Sequence, residues 1–183
     1  LLETLPDAPD AHVLYANSIA KRGRGEEAIT HLRDTAGRIT DPVPLQHALA
    51  SLLVDAKRID EARAIEQKLI AEQPTRPETY DLTGVLAMHE RRFADAAAAT
   101  RKLVERQETT RAQLRIGEAE YRLGNYDAAL AAVNRAIELA GEAGPQRSML
   151  RLKGRIETSA GDPEAASQTF RRLRRAGDGS FAS

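Results

Sequence analysis

Small and large apolar positions return along this chain about every 34 residues. An Ala closes a short acidic or small-residue stretch at five places, with spacings of 34, 34, 33 and 37 residues: Ala28, Ala62, Ala96, Ala129 and Ala166. A second small residue stands twelve positions before each of them: Ala16, Ala50, Gly84, Gly117 and Gly154. A large apolar residue follows on the same helix face, four or seven positions after the Ala: Leu32, Leu69, Leu103, Val133 and Phe170. The pattern predicts five units, each made of two antiparallel helices packed through small residues.

The predicted helices are separated by short polar turns. The two helices of successive units fall at 10–23 and 25–38, 43–56 and 59–72, 77–91 and 93–106, 110–123 and 126–140, and 146–160 and 163–176. Thr110 with Gln113 fits a capping box, and Asp162 before Pro163 fits an N-cap followed by Pro at the first helical position. Three glycines are expected to end first helices in the left-handed conformation: Gly23, Gly124 and Gly161.

The composition favours helices and narrows the function. The chain has 32 Ala, and its 27 Lys and Arg balance 27 Asp and Glu, so the formal net charge is zero. A nucleic-acid binder that works by bulk charge is therefore disfavoured. Without Cys, disulfides and thiolate metal sites are excluded, and no apolar run reaches the roughly 20 residues of a membrane span.

The sequence offers no catalytic constellation. The four His residues lack metal-ligand spacing, and each is expected to be a surface or groove-lining imidazole: His12, His31, His47 and His89. Asp and Glu alternate with Arg along the predicted helices, as on a solvated face with pairs at i and i+4. We therefore expect no enzymatic activity, no cofactor and no metal.

One unit carries the pattern most completely. Its large, small and Ala positions come in a fixed order: Leu114, Gly117, Tyr121, Gly124, Tyr126, Ala129, Leu130 and Ala136. This order resembles the tetratricopeptide repeat, and the resemblance covers almost the whole chain. It implies an all-α fold, an α-α superhelix of antiparallel helix pairs. The sequence departs from the family pattern at Gly25, where the family usually has an aromatic residue, and at Glu120 and Glu157, where a large apolar or aromatic side chain is common.

The resemblance divides 1–183 into a single array of repeats. The repeats fall at 9–42, 43–76, 77–109, 110–145 and 146–178, with 1–8 as the end of a preceding repeat and 179–183 as a tail. We therefore expect a piece of a longer protein of this family. Arg outnumbers Lys by 22 to 5, which with the Ala content is typical of a GC-rich bacterial genome. Periplasm and cytoplasm both remain open as the compartment.

By resemblance, the first helices line a concave groove that binds an extended peptide or a partner helix. The candidate groove residues are Asn17, Lys21, His47, Ser51, Asp55, Asp81, Val85, Met88, His89, Leu114, Glu118, Tyr121, Arg122, Arg151 and Arg155. This lining changes from mixed and acidic to basic toward the C-terminal end, so a ligand peptide is expected to carry its negative charge there.

Some members of the family clamp a C-terminal carboxylate with Lys, Asn and Arg side chains on three repeats. Only Asn17 fits that set here, while other residues fill the remaining positions: Val13, Ala48, Glu78 and Leu82. Chaperone-tail capture of that type is therefore not expected.

The sequence leaves three functions open. The first is a protein-interaction scaffold, such as the repeat segment of a bacterial envelope assembly, secretion or polysaccharide-export protein. The second is the substrate-recruiting arm of a larger enzyme such as a transferase. The third is a nucleic-acid surface on the last helix, formed by Arg171, Arg172, Arg174 and Arg175, although the same side chains also suit the negative end of the helix dipole.

Overall fold

The structure is a computed structural model that describes residues 7–141 and 144–178. Within those residues the chain is all-α, with ten helices in tandem and no strand. The helices are α1 (Pro9–Lys21), α2 (Gly25–Ala36), α3 (Val43–Asp55), α4 (Ile59–Glu72), α5 (Pro77–His89), α6 (Phe93–Arg106), α7 (Thr110–Leu123), α8 (Tyr126–Leu139), α9 (Arg147–Ser159) and α10 (Pro163–Asp178). Residues 1–6 and 179–183, predicted as part of a preceding repeat and as a tail, lie outside the described residues.

The chain forms two compact halves, Leu1–Leu86 and Ala87–Ser183. In the N-terminal half, α1 packs on α2, α2 on α3 and α3 on α4, and α1 also contacts α3. In the C-terminal half, α6 to α10 pack on one another in sequence, and α7 also contacts α9. Odd-numbered first helices of successive repeats therefore share a surface within each half.

The recurring small residues are buried between the two helices of each repeat, as predicted. The five Ala of the second helices keep at most 5% exposure, and the five small residues of the first helices are buried as well. A side chain at Gly117 or Gly154 would collide with Val133 or Phe170 across the pair. Small residues at these places thus set how closely the helices approach.

A left-handed residue ends the first helix of every repeat. Glycine fills this position in three repeats, with φ of 80° to 81°: Gly23, Gly124 and Gly161. Repeats two and three use Lys57 and Arg91 instead, at φ 62° and 61°. In each turn the next residue donates its backbone N–H to the carbonyl five positions back, as from Arg58 to Leu53 at 2.8 Å. This hydrogen bond satisfies a carbonyl at the end of the first helix, and the second helix begins directly after the residue that donates it.

The predicted side-chain caps of α7 and α10 are both present in kind, and that of α7 differs in position from the prediction. Asp162 caps α10 as expected, since its Oδ1 accepts the backbone N–H of Ala165 at 2.9 Å. The cap of α7 is Thr109 rather than Thr110, and its Oγ1 accepts the backbone N–H of Ala112 at 3.1 Å. Thr109 has the extended backbone that an N-cap requires, whereas Thr110 is already the first helical residue.

Candidate functional site

The predicted groove residues all lie on first helices, which are α1, α3, α5, α7 and α9. Seven of them belong to the N-terminal half and eight to the C-terminal half. The structure therefore presents two surfaces, and the contacts within each surface decide what it can bind.

In the N-terminal half an ion-pair geometry joins two neighbouring first helices. His47 Nε2 on α3 lies 2.7 Å from Asp81 Oδ2 on α5, and both side chains are half-buried. Ser51 Oγ donates to the carbonyl oxygen of His47 at 3.0 Å. Because that hydroxyl is turned toward its own helix backbone, the three residues do not form a nucleophile, base and carboxylate in series. The contact between His47 and Asp81 links α3 to α5, and the surface of these two helices is polar there.

Three other predicted residues of this half line a cleft. Asn17, Lys21 and Asp55 are exposed at the rim of a cavity of about 490 Å³, which opens where the ends of α1 and α3 meet the start of α2. A cavity of this size is within the range of ligand sites in proteins.

In the C-terminal half two Arg residues pack on aromatic rings and share one carboxylate. The Arg155 guanidinium lies 4.9 Å from the ring centre of Tyr121, and the Arg122 guanidinium lies 5.7 Å from that of Phe93. Glu118 accepts from Arg122 Nε at 2.8 Å and lies 3.9 Å from Arg155 Nη1. The rings and the carboxylate hold both guanidiniums in place while leaving each more than 40% exposed.

The Tyr121 hydroxyl is also part of this cluster. It lies 3.4 Å from Ser159 Oγ, and this hydrogen bond, followed by the contact with Arg155, lowers the pKa of the phenol. Tyr121 and Arg155 therefore stand together as one polar and aromatic patch on α7 and α9.

The remaining predicted residues are not brought into these clusters. Val85, Met88 and Leu114 are half-buried and pack against the apolar cores. His89 and Arg151 are exposed. Three of the predicted positions thus contribute mainly to packing.

One histidine differs from the expectation of a surface or groove-lining ring. His12 is buried, with 7% exposure, and its Nδ1 lies 3.0 Å from His31 Nε2 on the second helix of the same repeat. Burial of His31 and the proximity of His12 lower the pKa of His31, against a smaller opposing effect of Asp34. Among the described residues, no three His, Asp or Glu side chains converge as a metal site would require. None of the described helices combines the length and apolar character that a bilayer crossing needs.

Two features of these surfaces were missed at the level of sequence. Phe93 supports Arg122 from the start of a second helix, a position that the counting of first-helix residues leaves out. The cleft beside Asn17 borders Gly25. The sequence shows that Gly25 departs from the family pattern, but it does not show that a cleft opens beside it. Comparing the same position in all repeats would have revealed both.

Comparisons with known proteins agree with this architecture. Residues 108–176 match the family model described as tetratricopeptide repeat. No match was found among curated proteins. The solved structure of MamA from Desulfovibrio magneticus RS-1 is similar, with 16% identity, a TM-score of 0.74, and coverage of 96% of this chain and 97% of that one.

Two further solved structures share the fold. A thermophilic tetratricopeptide repeat protein of Thermus thermophilus has 15% identity and a TM-score of 0.73, covering 91% of this chain and 90% of that one. A chain of the APC/C hetero-tetramer Cut9–Hcn1 has 20% identity and a TM-score of 0.79, and the match covers 94% of this chain but 34% of that one.

The family match covers the last two repeats, and the fold match extends over nearly all of the chain. The same small positions, left-handed turns and paired helices recur in the three repeats before the matched segment. Residues 108–176 therefore match the tetratricopeptide repeat family, and the described chain has the all-α fold of antiparallel helix pairs in tandem that solved tetratricopeptide repeat structures share.

Proposed function

We propose that this protein is a non-catalytic scaffold that binds a peptide or partner protein on the surface of its first helices, the predicted concave groove. Repeat proteins of this kind commonly bind partners through such surfaces. The observation that carries the proposal is the cluster of Arg122 and Arg155 around Tyr121 and Glu118. It holds two charged groups in fixed positions before any partner arrives, which reduces the entropy lost on binding.

The charges favour an acidic segment of the partner at this surface. Glu118 contacts both guanidiniums, and Arg151 is a third exposed cation, one helical turn before Arg155 on α9. Planar guanidiniums pair well with carboxylates in bidentate geometry. A partner carboxylate would therefore bind where cationic groups outnumber the local carboxylate. Resemblance and composition extend this proposal to the repeat segment of a bacterial envelope assembly, secretion or polysaccharide-export protein.

A charge-reversal experiment tests the proposal. The full chain carrying Arg122→Glu, Arg151→Glu and Arg155→Glu is compared with wild type in capture from lysate followed by mass spectrometry. A matched control reverses Arg171, Arg172 and Arg174, which lie on α10 and change the net charge equally. The corresponding Arg→Gln variants of the first set remove attraction without adding repulsion.

We expect a partner that is lost with the first set of changes and kept with the control. Circular dichroism is recorded for every variant, so that a partner lost through unfolding is recognised. Equal recovery by wild type and by both sets of variants would contradict the proposal. Loss with the control alone would move the binding surface to the Arg residues of α10 and contradict the proposal.

A further inference from the structure

The cleft of the N-terminal half is apolar inside and polar at its edge. Ala20, Ile29 and Leu52 line it and are buried or half-buried. The exposed polar residues at its rim are Asn17, Lys21, Glu26 and Asp55. An apolar interior with a few polar groups at the opening is the usual form of a site that takes an organic side chain or small molecule.

The cleft lies where repeat one has smaller side chains than repeats two to four, at two positions that are close together in the helix pair. Its second helix begins with Gly25, whereas those of the next three repeats begin with a large side chain: Ile59, Phe93 and Tyr126. Five residues earlier, repeat one has Ala20, where the same repeats have Val54, Met88 and Tyr121. The large side chains are buried or half-buried in the other repeats. Gly25 and Ala20 leave that volume unfilled.

Repeat three shows what fills this place. The ring of Phe93 packs beside Met88 against a cluster that includes Ala97 and Ala119, with the Arg122 guanidinium 5.7 Å from the ring centre. Counting along the repeats, the counterparts of these residues around the cleft are Ala20 for Met88, Ile29 for Ala97, Leu52 for Ala119 and Asp55 for Arg122. The cleft of repeat one is thus bounded by the counterparts of the residues around Phe93, with the larger apolar side chains of Ile29 and Leu52 in place of Ala97 and Ala119.

We propose that this cleft binds an aromatic side chain of a partner peptide, which takes the place that Phe93 has in its own repeat. The inference rests on the proposed scaffold function and names one feature of its ligand. Burial of the ring against Ile29 and Leu52 supplies the attraction. Asn17 at the rim has two amide donors and one acceptor oxygen, which suit the backbone of an extended peptide.

The rim also indicates what flanks the aromatic residue. Asp55 stands at the counterpart of Arg122, and Glu26 is paired with Arg58 Nη1 at 3.0 Å, so the carboxylate of Asp55 and the ammonium of Lys21 leave the rim nearly balanced in charge. A neutral residue beside the aromatic one is therefore favoured over a charged one. The cleft differs in this respect from the Arg surface of the C-terminal half.

The test uses N-acetyl-L-phenylalaninamide as the probe and backbone amide NMR shifts of the full chain as the readout. Wild type is compared with Gly25→Phe, in which the protein's own side chain at position 25 places a ring in the cleft. A β-carbon at Gly25 meets no atom within 4 Å and the backbone there is not left-handed, so a side chain can begin at this position without a clash or backbone strain. Thr30→Phe is the matched control, because it adds the same side chain at an exposed position of α2 outside the cleft.

We expect saturable shifts in wild type around Ala20, Ile29 and Leu52. Gly25→Phe should weaken binding by about tenfold or more because its own ring occupies the site. Thr30→Phe and Gly25→Ala, which leaves most of the volume open, should bind as wild type does. Shifts that persist in Gly25→Phe, or no saturable shift in wild type up to the solubility of the probe, would overturn the inference.

The two proposals fail separately. A probe that does not bind, together with a partner captured through the Arg surface, removes the aromatic site and leaves the scaffold function standing. A probe that binds as expected, with no protein captured by any form of the chain, keeps the cleft as an aromatic site and removes the scaffold function.

Discussion

Gly117 on α7 packs directly against Val133 on α8, and the space between them has no room for one more carbon. A β-carbon on Gly117 would lie 2.7 Å from Val133 Cγ2 and 3.4 Å from the carbonyl oxygen of Ala129. Val133 is fully buried, so it has nowhere to move. In repeat five the same relationship joins Gly154 and Phe170, but the ring of Phe170 is 40% exposed and can turn toward solvent.

This difference predicts unequal costs for the same substitution. Gly117→Ala should lower the free energy of unfolding by about 1–2 kcal/mol, because overpacking outweighs the roughly 1 kcal/mol that Ala gains over Gly in a helix. Gly154→Ala should change it by less than about 0.5 kcal/mol, since the displaced ring offsets the helix gain. Urea unfolding measures the change in unfolding free energy for both substitutions, provided that the m-value is the same as in wild type. Equal effects of the two substitutions would contradict this account of the packing.

The helices could be predicted from sequence because their determinants are local and repeated. All ten predicted helices are present, with bounds within two residues of those expected. The spacing of Ala28, Ala62 and Ala96 fixed the register even though repeat one lacks an aromatic residue at Gly25. The cap of α7 was misplaced by one residue because Thr109 and Thr110 are adjacent and chemically alike.

The candidate surfaces were less predictable because they depend on contacts between repeats. Counting positions selected Met88 and Leu114, but their side chains pack into the cores. Counting also passed over Phe93, which supports Arg122 from a second helix. The size of the cleft beside Gly25 depends on all of the residues that line it. These residues come from two repeats, so the pattern of one repeat does not determine the size.

The left-handed turn of repeat two is a place where the chain can be stabilised. Lys57 has φ of 62°, a conformation that costs about 1 kcal/mol or more for a residue with a side chain. Lys57→Gly should therefore raise the free energy of unfolding by about 0.5–1 kcal/mol after the greater backbone entropy of Gly in the unfolded chain is included.

Its neighbour provides the control for that substitution. Ala56 has φ of −78°, where glycine brings no relief of strain, so Ala56→Gly should lower the stability by about 0.5–1 kcal/mol. Thermal and urea unfolding of the two variants distinguish them by sign. A destabilising Lys57→Gly would mean that the Lys side chain contributes more than its backbone costs.

A buried carboxylate in the C-terminal half depends on an exposed partner. Glu120 is 4% exposed, accepts from Asn125 Nδ2 at 2.7 Å, and is paired with Arg101 from α6. Arg101→Met should lower the free energy of unfolding by about 2 kcal/mol, because the charge of Glu120 stays buried with Asn125 alone. The double variant Arg101→Met and Glu120→Met should recover most of this loss, since the charge is gone and the volume is kept.

Urea unfolding of the two single variants and the double variant gives the coupling between the partners. A double variant that is less stable than Arg101→Met alone would show that Glu120 contributes through more than its pairing with Arg101.

The pair of His12 and His31 predicts how stability changes with pH. Burial and the nearby His12 ring lower the pKa of His31 from its ordinary 6.5, while Asp34 opposes them, and the ring of Tyr15 packs edge-on against it. The folded chain thus binds this proton less readily than the unfolded chain, so the contribution of His31 to stability is lost as the pH falls below about 6.5. His31→Gln should make the difference in unfolding free energy between about pH 7.5 and about pH 5.5 smaller than in wild type. Urea unfolding at the two pH values measures this difference, and an unchanged pH dependence in His31→Gln would show that the pair does not control acid stability.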